Sequence, residues 1–229
     1  MNVTALIPAA GRGTRMKDTV GKPFLPLRGR PILAHTLDSF EKCSAVDGII
    51  LVVAPEMVDR CSAEITSAFG YTKVKRIVPG GERRQDSVHN GLLAIRDRCD
   101  IVLIHDGVRP LVTVETIERS IVLCQQYGAV ITAVPPKETI KRGEGGFVFS
   151  TLDRTKLWTV QTPQTFTYDL ILKAYTRAYE DRFWGTDDAS LVERLGASIK
   201  ILEGSYDNIK ITTQDDLCAA ESLFQRRSG

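Results

Sequence analysis

The chain has 229 residues, 43% of them hydrophobic and 25% charged, with a formal net charge of +2. That is chain enough for a substantial core, and the balanced charge gives no global attraction to nucleic acid or a membrane surface. No run approaches the roughly 20 apolar residues of a membrane span, and five scattered cysteines without a CxxC pair argue against a disulfide framework or structural zinc site.

The start, "MNVTALIPAAG", has no basic region before its short apolar run, so no signal peptide is predicted, and the thiols suit a reducing cytoplasm. Runs rich in Val, Ile, Leu and Ala predict strands at 3–9, 48–54, 75–78, 101–105 and 129–134. Strands covered on both faces read this way. Amphipathic stretches between them predict helices at 32–42, 56–69, 85–98 and 114–127. The alternation implies an α/β fold: a Rossmann-like, open, mostly parallel twisted sheet with helices on both faces. It breaks after Pro135-Pro136. "KETIKRGEGGFVFSTLDR" predicts two short strands turning around Gly143–Gly146, a polar β-arm at about 136–158 that needs a partner surface. Helices near 168–181 and 187–195 follow, then a strand near 198–202, the strand-like run "DNIKIT" and a last helix near 214–225. With no internal repeat, the chain reads as one domain carrying the arm.

Ligands of open α/β sheets bind beyond the carboxyl ends of the strands, and the polar clusters fall there. In "PAAGRGTRMKDTVGKPF", Met16 stands where the dinucleotide fingerprint needs its third glycine, and Pro23 stands where a P-loop needs a hydroxyl. A more general feature survives. The small residues Ala9, Ala10, Gly11 and Gly13 let backbone N–H groups approach phosphate oxygens, and Arg12, Arg15 and Lys22 add charge. The competing reading is a tight turn with solvated cations.

In "VPGGERRQDSV", Gly80, Gly81 and Ser87 can hydrogen-bond a base and ribose; alternatively Asp86 or Ser87 caps the next helix. In "HDGVRP", Asp106 leaves a buried strand and can bind a ribose hydroxyl or a metal-held phosphate, or simply pair with Arg109. Lys210 in "DNIKIT" reads alone as a solvated edge lysine, Arg154 as a surface charge, and Thr162-Pro163 as a strand end. His35, His89 and His105 have no ligand spacing, and Asp187-Asp188 read as helix capping.

Together, "PAAGRGTRM", "GKPFLPL", "GGERRQDSV", "HDGVRP", "PPKETIKR", "LDRTKLWTVQTPQ", "TDDAS" and "DNIKIT", in this order through nearly the whole chain, closely resemble the 2-C-methyl-D-erythritol 4-phosphate cytidylyltransferases. The resemblance implies cytidylyl transfer from CTP to methylerythritol phosphate, releasing pyrophosphate, in non-mevalonate isoprenoid synthesis. It implies Arg15, Lys22 and Lys210 at the reacting phosphates, and CTP at Ala9, Ala10, Gly11, Gly13, Gly80, Gly81, Ser87 and Asp106. It further implies the alcohol phosphate at Asp106, Arg109, Thr139, Arg154 and Thr162. Magnesium is expected on the CTP phosphates and water, with no protein-held metal cage. The arm is expected to cross a homodimer interface and complete the neighbour's site.

"HDGVRP" departs from the frequent "HDAARP", and ribitol 5-phosphate cytidylyltransferases carry similar segments, so ribitol phosphate is the alternative substrate. A nucleotide sensor without turnover would share the glycine loops but has no need of cations around the α-phosphate.

Overall fold

The computed structural model describes residues 1–11 and 21–228. In chain order the strands are β1 (Val3–Pro8), the two-residue β2 (Pro26–Leu27) and β3 (Arg30–Pro31), β4 (Gly48–Val53), β5 (Val74–Pro79), β6 (Ile101–Ile104), β7 (Ala129–Val134), β8 (Lys141–Glu144), β9 (Phe147–Thr151), β10 (Thr159–Thr167) and β11 (Lys200–Glu203). The helices are α1 (Ile32–Lys42), α2 (Val58–Cys61), α3 (Arg84–Leu93), α4 (Val114–Tyr127), α5 (Tyr168–Glu180), α6 (Asp188–Glu193) and α7 (Gln214–Ser228).

The 7-stranded sheet has the order β11-β7-β10-β6-β1-β4-β5. β10 is antiparallel to both its neighbours, β6 and β7, and the other pairings are parallel. Because side chains alternate along a strand, one sequence run feeds two cores. Ala5 and Ile7 of β1, Ile49 and Leu51 of β4, and Leu103 of β6 pack on one face with Leu37 and Phe40 of α1 and Ile121 of α4. Leu6, Ile50, Val52, Val102 and Ile104 pack on the other with Val88 of α3, Tyr175 of α5 and Leu191 of α6. Apolar side chains buried this way contribute about 1.5–3 kcal/mol each. This is the predicted Rossmann-like sheet with helices on both faces. A third cluster fixes α7 through Leu217 and Leu223 against Leu25, Leu27 and Ile32.

Helices α1 and α4 coincide with the predicted spans. The Thr113 side chain caps α4 by accepting from the Thr116 N–H, and Gly128 at φ 78 ends it in the left-handed region that favours glycine. Elsewhere local patterning misleads. The helix predicted over 56–69 is a 3-10 turn at Pro55–Met57, then α2, then a π segment at Ser62–Ser67. α3 stops at Leu93, short of the predicted end at 98. "DNIKIT" is not a strand: residues 208–212 have no ladder partners. Their apolar side chains serve packing of single residues instead, Ile211 being fully buried beside α7.

The largest departure is β10. "TVQTPQTFT" is polar and contains Pro163, features of an edge or a turn, yet it runs through the middle of the sheet. Pro163 is tolerated because the register with β7 shifts between Val160 and Gln164, where no ladder hydrogen bond is asked of it. The Thr162-Pro163 peptide is cis. The arm is present as predicted. β8 and β9 form their own two-stranded sheet, and every residue of both is exposed.

Candidate active site

β1 has β4 on one side and β6 on the other, and the connections leave β1 toward β4 and β5 in one direction while β6 begins the other half of the sheet. That reversal opens a crevice beyond the carboxyl ends of the strands. A cleft of about 680 Å³ occupies it. Its lining brings together Ala9, Ala10 and Gly11 after β1, Lys22, Gly80 and Gly81 after β5, and Ser87, Asp106 and Lys210. A second cleft of about 460 Å³ adjoins it, lined by Arg109, Gln161, Thr162, Gln164, Thr186, Asp187 and Ser190. Arg84, Asp106 and Lys210 line both, so they form the wall or gate between the two.

The first cleft is built from backbone and small residues. A Cβ on Gly80 would overlap the Ala10 side chain and lie 2.8 Å from Ser87 Oγ, so only glycine lets these two loops close on each other. Ser87 Oγ accepts from the Gly81 N–H at 3.1 Å and donates to the Arg83 carbonyl at 3.1 Å, which fixes the turn. Asp86 accepts from the Arg83 N–H and is the capping residue of the two candidates. Lys22 Nζ donates to the Thr212 carbonyl at 2.9 Å, tying the start of the chain to the "DNIKIT" loop. Arg15 and Gly13 lie outside the described residues.

At the junction, Asp106 is almost fully buried and faces three cations: Lys210 at 3.0 Å, Arg84 at 3.4 Å and Arg109 at 3.4 Å. Burial alone would raise its pKa, but Arg84, Lys210 and Arg109 outweigh it and hold the carboxyl well below the usual range. Lys210, though its side chain is 39% exposed, is therefore an ion-paired lysine and does not stand on a strand edge. Arg109 pairs with Asp106 and also donates to the Asn208 carbonyl at 2.7 Å. Burial works against its charge, and Asp106 restores part of the loss.

Sequence reasoning missed Arg84 and Asp188. Arg84 binds Asp188 through two parallel hydrogen bonds of 3.0 and 2.8 Å. Asp188 is fully buried and also accepts from Tyr175 Oη at 2.6 Å. Of the carboxylate pair read as helix capping, only Asp187 caps α6, accepting from the Ser190 N–H. No local signal separates the two, because a second carboxylate in the first turn is already explained by the helix dipole.

Thr162 does not end a strand. It is buried within β10, where its Oγ1 accepts from the Asp106 N–H at 3.1 Å and lies 3.0 Å from His105 Nδ1. Asn208 donates to the Thr162 carbonyl at 2.8 Å and so docks the "DNIKIT" loop on β10. Thr139 and Arg154 are exposed on the arm and line neither cleft. Arg154 donates to the Lys137 carbonyl at 2.9 Å. Among the described residues no three His, Cys, Asp or Glu side chains are grouped to hold a metal, and no helix is long and apolar enough to cross a membrane.

Two adjoining clefts with cations at their junction suit the joining of two phosphate-bearing substrates. The comparisons agree. The family model described as IspD, 2-C-methyl-D-erythritol 4-phosphate cytidylyltransferase, matches residues 3–226. The cytidylyltransferase of that name from Pelotomaculum thermopropionicum is 47% identical over 99% of this chain and 96% of its own. The one from Caldanaerobacter subterraneus is 46% identical over 99% of this chain and 100% of its own. Among solved structures, the 4-diphosphocytidyl-2C-methyl-D-erythritol synthase from Anaerococcus prevotii superposes with a TM-score of 0.87 at 33% identity, covering 98% of this chain and 96% of that one. The Thermus thermophilus cytidylyltransferase gives 0.80 at 32% identity over 98% of this chain and 100% of its own. The chain belongs to the 2-C-methyl-D-erythritol 4-phosphate cytidylyltransferase family.

Proposed function

We propose that this chain transfers the cytidylyl group of CTP to 2-C-methyl-D-erythritol 4-phosphate, giving 4-diphosphocytidyl-2-C-methyl-D-erythritol and pyrophosphate. The observation that carries the residue assignment is the shared junction: Arg84, Asp106 and Lys210 border both clefts. CTP occupies the larger one, its base and ribose against Gly80, Gly81, Ser87 and Asp106, its phosphates against the Ala9–Ala10–Gly11 backbone and Lys22. The alcohol phosphate occupies the smaller one, against Asp106, Arg109 and Thr162.

A phosphate oxygen of the alcohol phosphate attacks the α-phosphorus of CTP. The new P–O bond forms as the bond to the β-phosphate oxygen breaks, and pyrophosphate leaves with that electron pair. The nucleophile is already anionic, so the chain needs no general base. Its work is to bring an anion to a polyanion and to stabilise the charge that builds on the transferring group. Lys22, Lys210 and Arg15 supply that charge.

The junction also bears on magnesium. Asp106 is engaged by three cations, which leaves it a poor metal ligand and fits an ion carried on the CTP phosphates and water. Bound there, magnesium would neutralise charge on the departing pyrophosphate.

The arm completes the site across a homodimer, with Thr139 and Arg154 reaching the neighbour's alcohol phosphate. Support comes from their position outside their own clefts and from Phe147, Val148 and Phe149, which are 79%, 66% and 66% exposed in succession. Solvent rarely meets such a run without a partner. The arm is thus less polar than its charge pattern suggested. The enzyme acts in the cytoplasm.

The test is pyrophosphate release, with product mass, from CTP, magnesium and either methylerythritol phosphate or ribitol 5-phosphate. Turnover of the first supports the proposal. Turnover of ribitol phosphate alone overturns it, and CTP binding without turnover of either makes the chain a sensor. The family match favours methylerythritol phosphate over the ribitol alternative.

A further inference from the structure

His105 is fully buried beside Phe40, between a carbonyl, which can only accept, and a hydroxyl, which can donate or accept. Its Nε2 lies 3.2 Å from the Arg109 carbonyl oxygen. A carbonyl can only accept, so Nε2 carries the hydrogen. Burial disfavours a second proton and lowers the pKa to about 4, so the ring is neutral and Nδ1 is a bare acceptor. Thr162 Oγ1, 3.0 Å away, must then donate its hydrogen to Nδ1. The same oxygen takes the Asp106 N–H at 3.1 Å on one lone pair. One lone pair remains, and Thr162 lines the smaller cleft.

We propose that His105 is a positioning residue: by taking the Thr162 hydroxyl hydrogen it turns Thr162 Oγ1 into a pure acceptor, which reads a hydroxyl of the alcohol phosphate and not its phosphate. The inference rests on the reading of the smaller cleft as the alcohol-phosphate site. The carboxylate of Asp106 is already taken by Lys210, Arg84 and Arg109, so the free acceptor is Thr162 Oγ1. It welcomes a hydroxyl donor and not an ionised phosphate oxygen, whereas the three cations gathered around Asp106 attract the phosphate. The polyol therefore enters in one orientation, with its nucleophilic end toward CTP. Without His105 the Thr162 hydroxyl could rotate and donate to a phosphate, and this orientation would be lost.

The tautomer is read directly from the imidazole nitrogen resonances of the unliganded, 15N-histidine-labelled protein. A protonated Nε2 with a bare Nδ1 is expected; a protonated Nδ1 with a bare Nε2 overturns the proposal whatever the substrate proves to be. The second arm compares kcat/KM for whichever alcohol phosphate is turned over with its mono-deoxy analogues. The wild type should reject one analogue by about tenfold or more, the worth of one hydrogen bond. His105→Gln keeps a donor for the Arg109 carbonyl but no acceptor for Thr162, and should lose that discrimination with little change in the KM for CTP. His105→Asn can present an amide oxygen to Thr162 and should keep it, even where kcat falls. Discrimination retained in His105→Gln overturns the proposal. If that variant does not fold, the resonances of the wild type still decide.

Discussion

The two clefts are made of different materials. The larger is assembled mostly from backbone turns and small residues directly after β1 and β5, and its turns are fixed by bonds short in sequence, as between Ser87 and Gly81 or Arg83, with Lys22 to Thr212 as a long-range tie. The smaller is assembled from side chains brought from β10, the start of α6 and the "DNIKIT" loop, and its fixing bonds span the chain, as between Arg84 and Asp188 or Asn208 and Thr162. The first kind of site follows from strand-end geometry and can be shared by many nucleotide-binding chains. The second depends on long-range charge and hydrogen-bond pairing, and under the proposed function it is where a particular alcohol is chosen.

The contrast breaks most visibly at Asp188. Asp188→Asn should destabilise the fold by about 3 kcal/mol, because Arg84 loses its two-point partner and Tyr175 its charged acceptor in a buried setting. Urea unfolding measures this, and a change below about 0.5 kcal/mol would remove the pair from the structural account. Lys22→Ala, at the larger cleft, should leave folding near wild type but lower kcat about 100-fold, equivalent to about 2.7 kcal/mol, with a small change in the KM for CTP. An unchanged kcat takes Lys22 out of the chemistry.

Acid sharpens the comparison on the side of β10. In the unfolded chain His105 takes a proton near 6.5, whereas in the fold it does so only near about 4. The unfolded state thus binds more protons between these values, and stability falls as pH drops through them. Asp106 and Arg109 face the ring with opposite influence, the first raising and the second lowering its pKa. Asp106 itself, held below the usual range, adds a loss of the same sign at still lower pH. Between pH 6.5 and 5 the His105 contribution changes by about 1.5 kcal/mol. The wild type should therefore lose more stability than His105→Asn over that interval, and parallel unfolding curves would count against a neutral buried imidazole.

The smallest effect belongs to the arm. Arg154→Ala should raise the KM for the alcohol phosphate about tenfold, or about 1.4 kcal/mol, and spare CTP. An effect confined to CTP refutes its placement. With the alcohol phosphate held well below its KM, where both variants are impaired, mixing Lys22→Ala with Arg154→Ala should raise activity above the sum of the two through hybrid dimers, and no rise after verified subunit exchange speaks against a shared site.

Much of this was written in local sequence. The apolar runs of β1, β4, β6 and β7 announce strands covered on both faces, and the 3.6-residue spacing of α1 and α4 gives their limits, because burial on one or two faces imposes a period that neighbouring residues alone reveal. Gly80 and Ser87 were legible because a tight turn before a helix has few chemical solutions. Tertiary structure alone decided the rest. Nothing local in "TVQTPQTFT" predicts a central strand, since its polar side chains are satisfied by His105, Asp187, Ser205 and Asn208, residues far away in sequence. Nothing local reveals that Arg84 meets Asp188, or that Lys210, Arg84 and Arg109 converge on Asp106. A charge reads the same in sequence whether it is solvated or buried against a partner, and only the fold supplies the partner and removes the water.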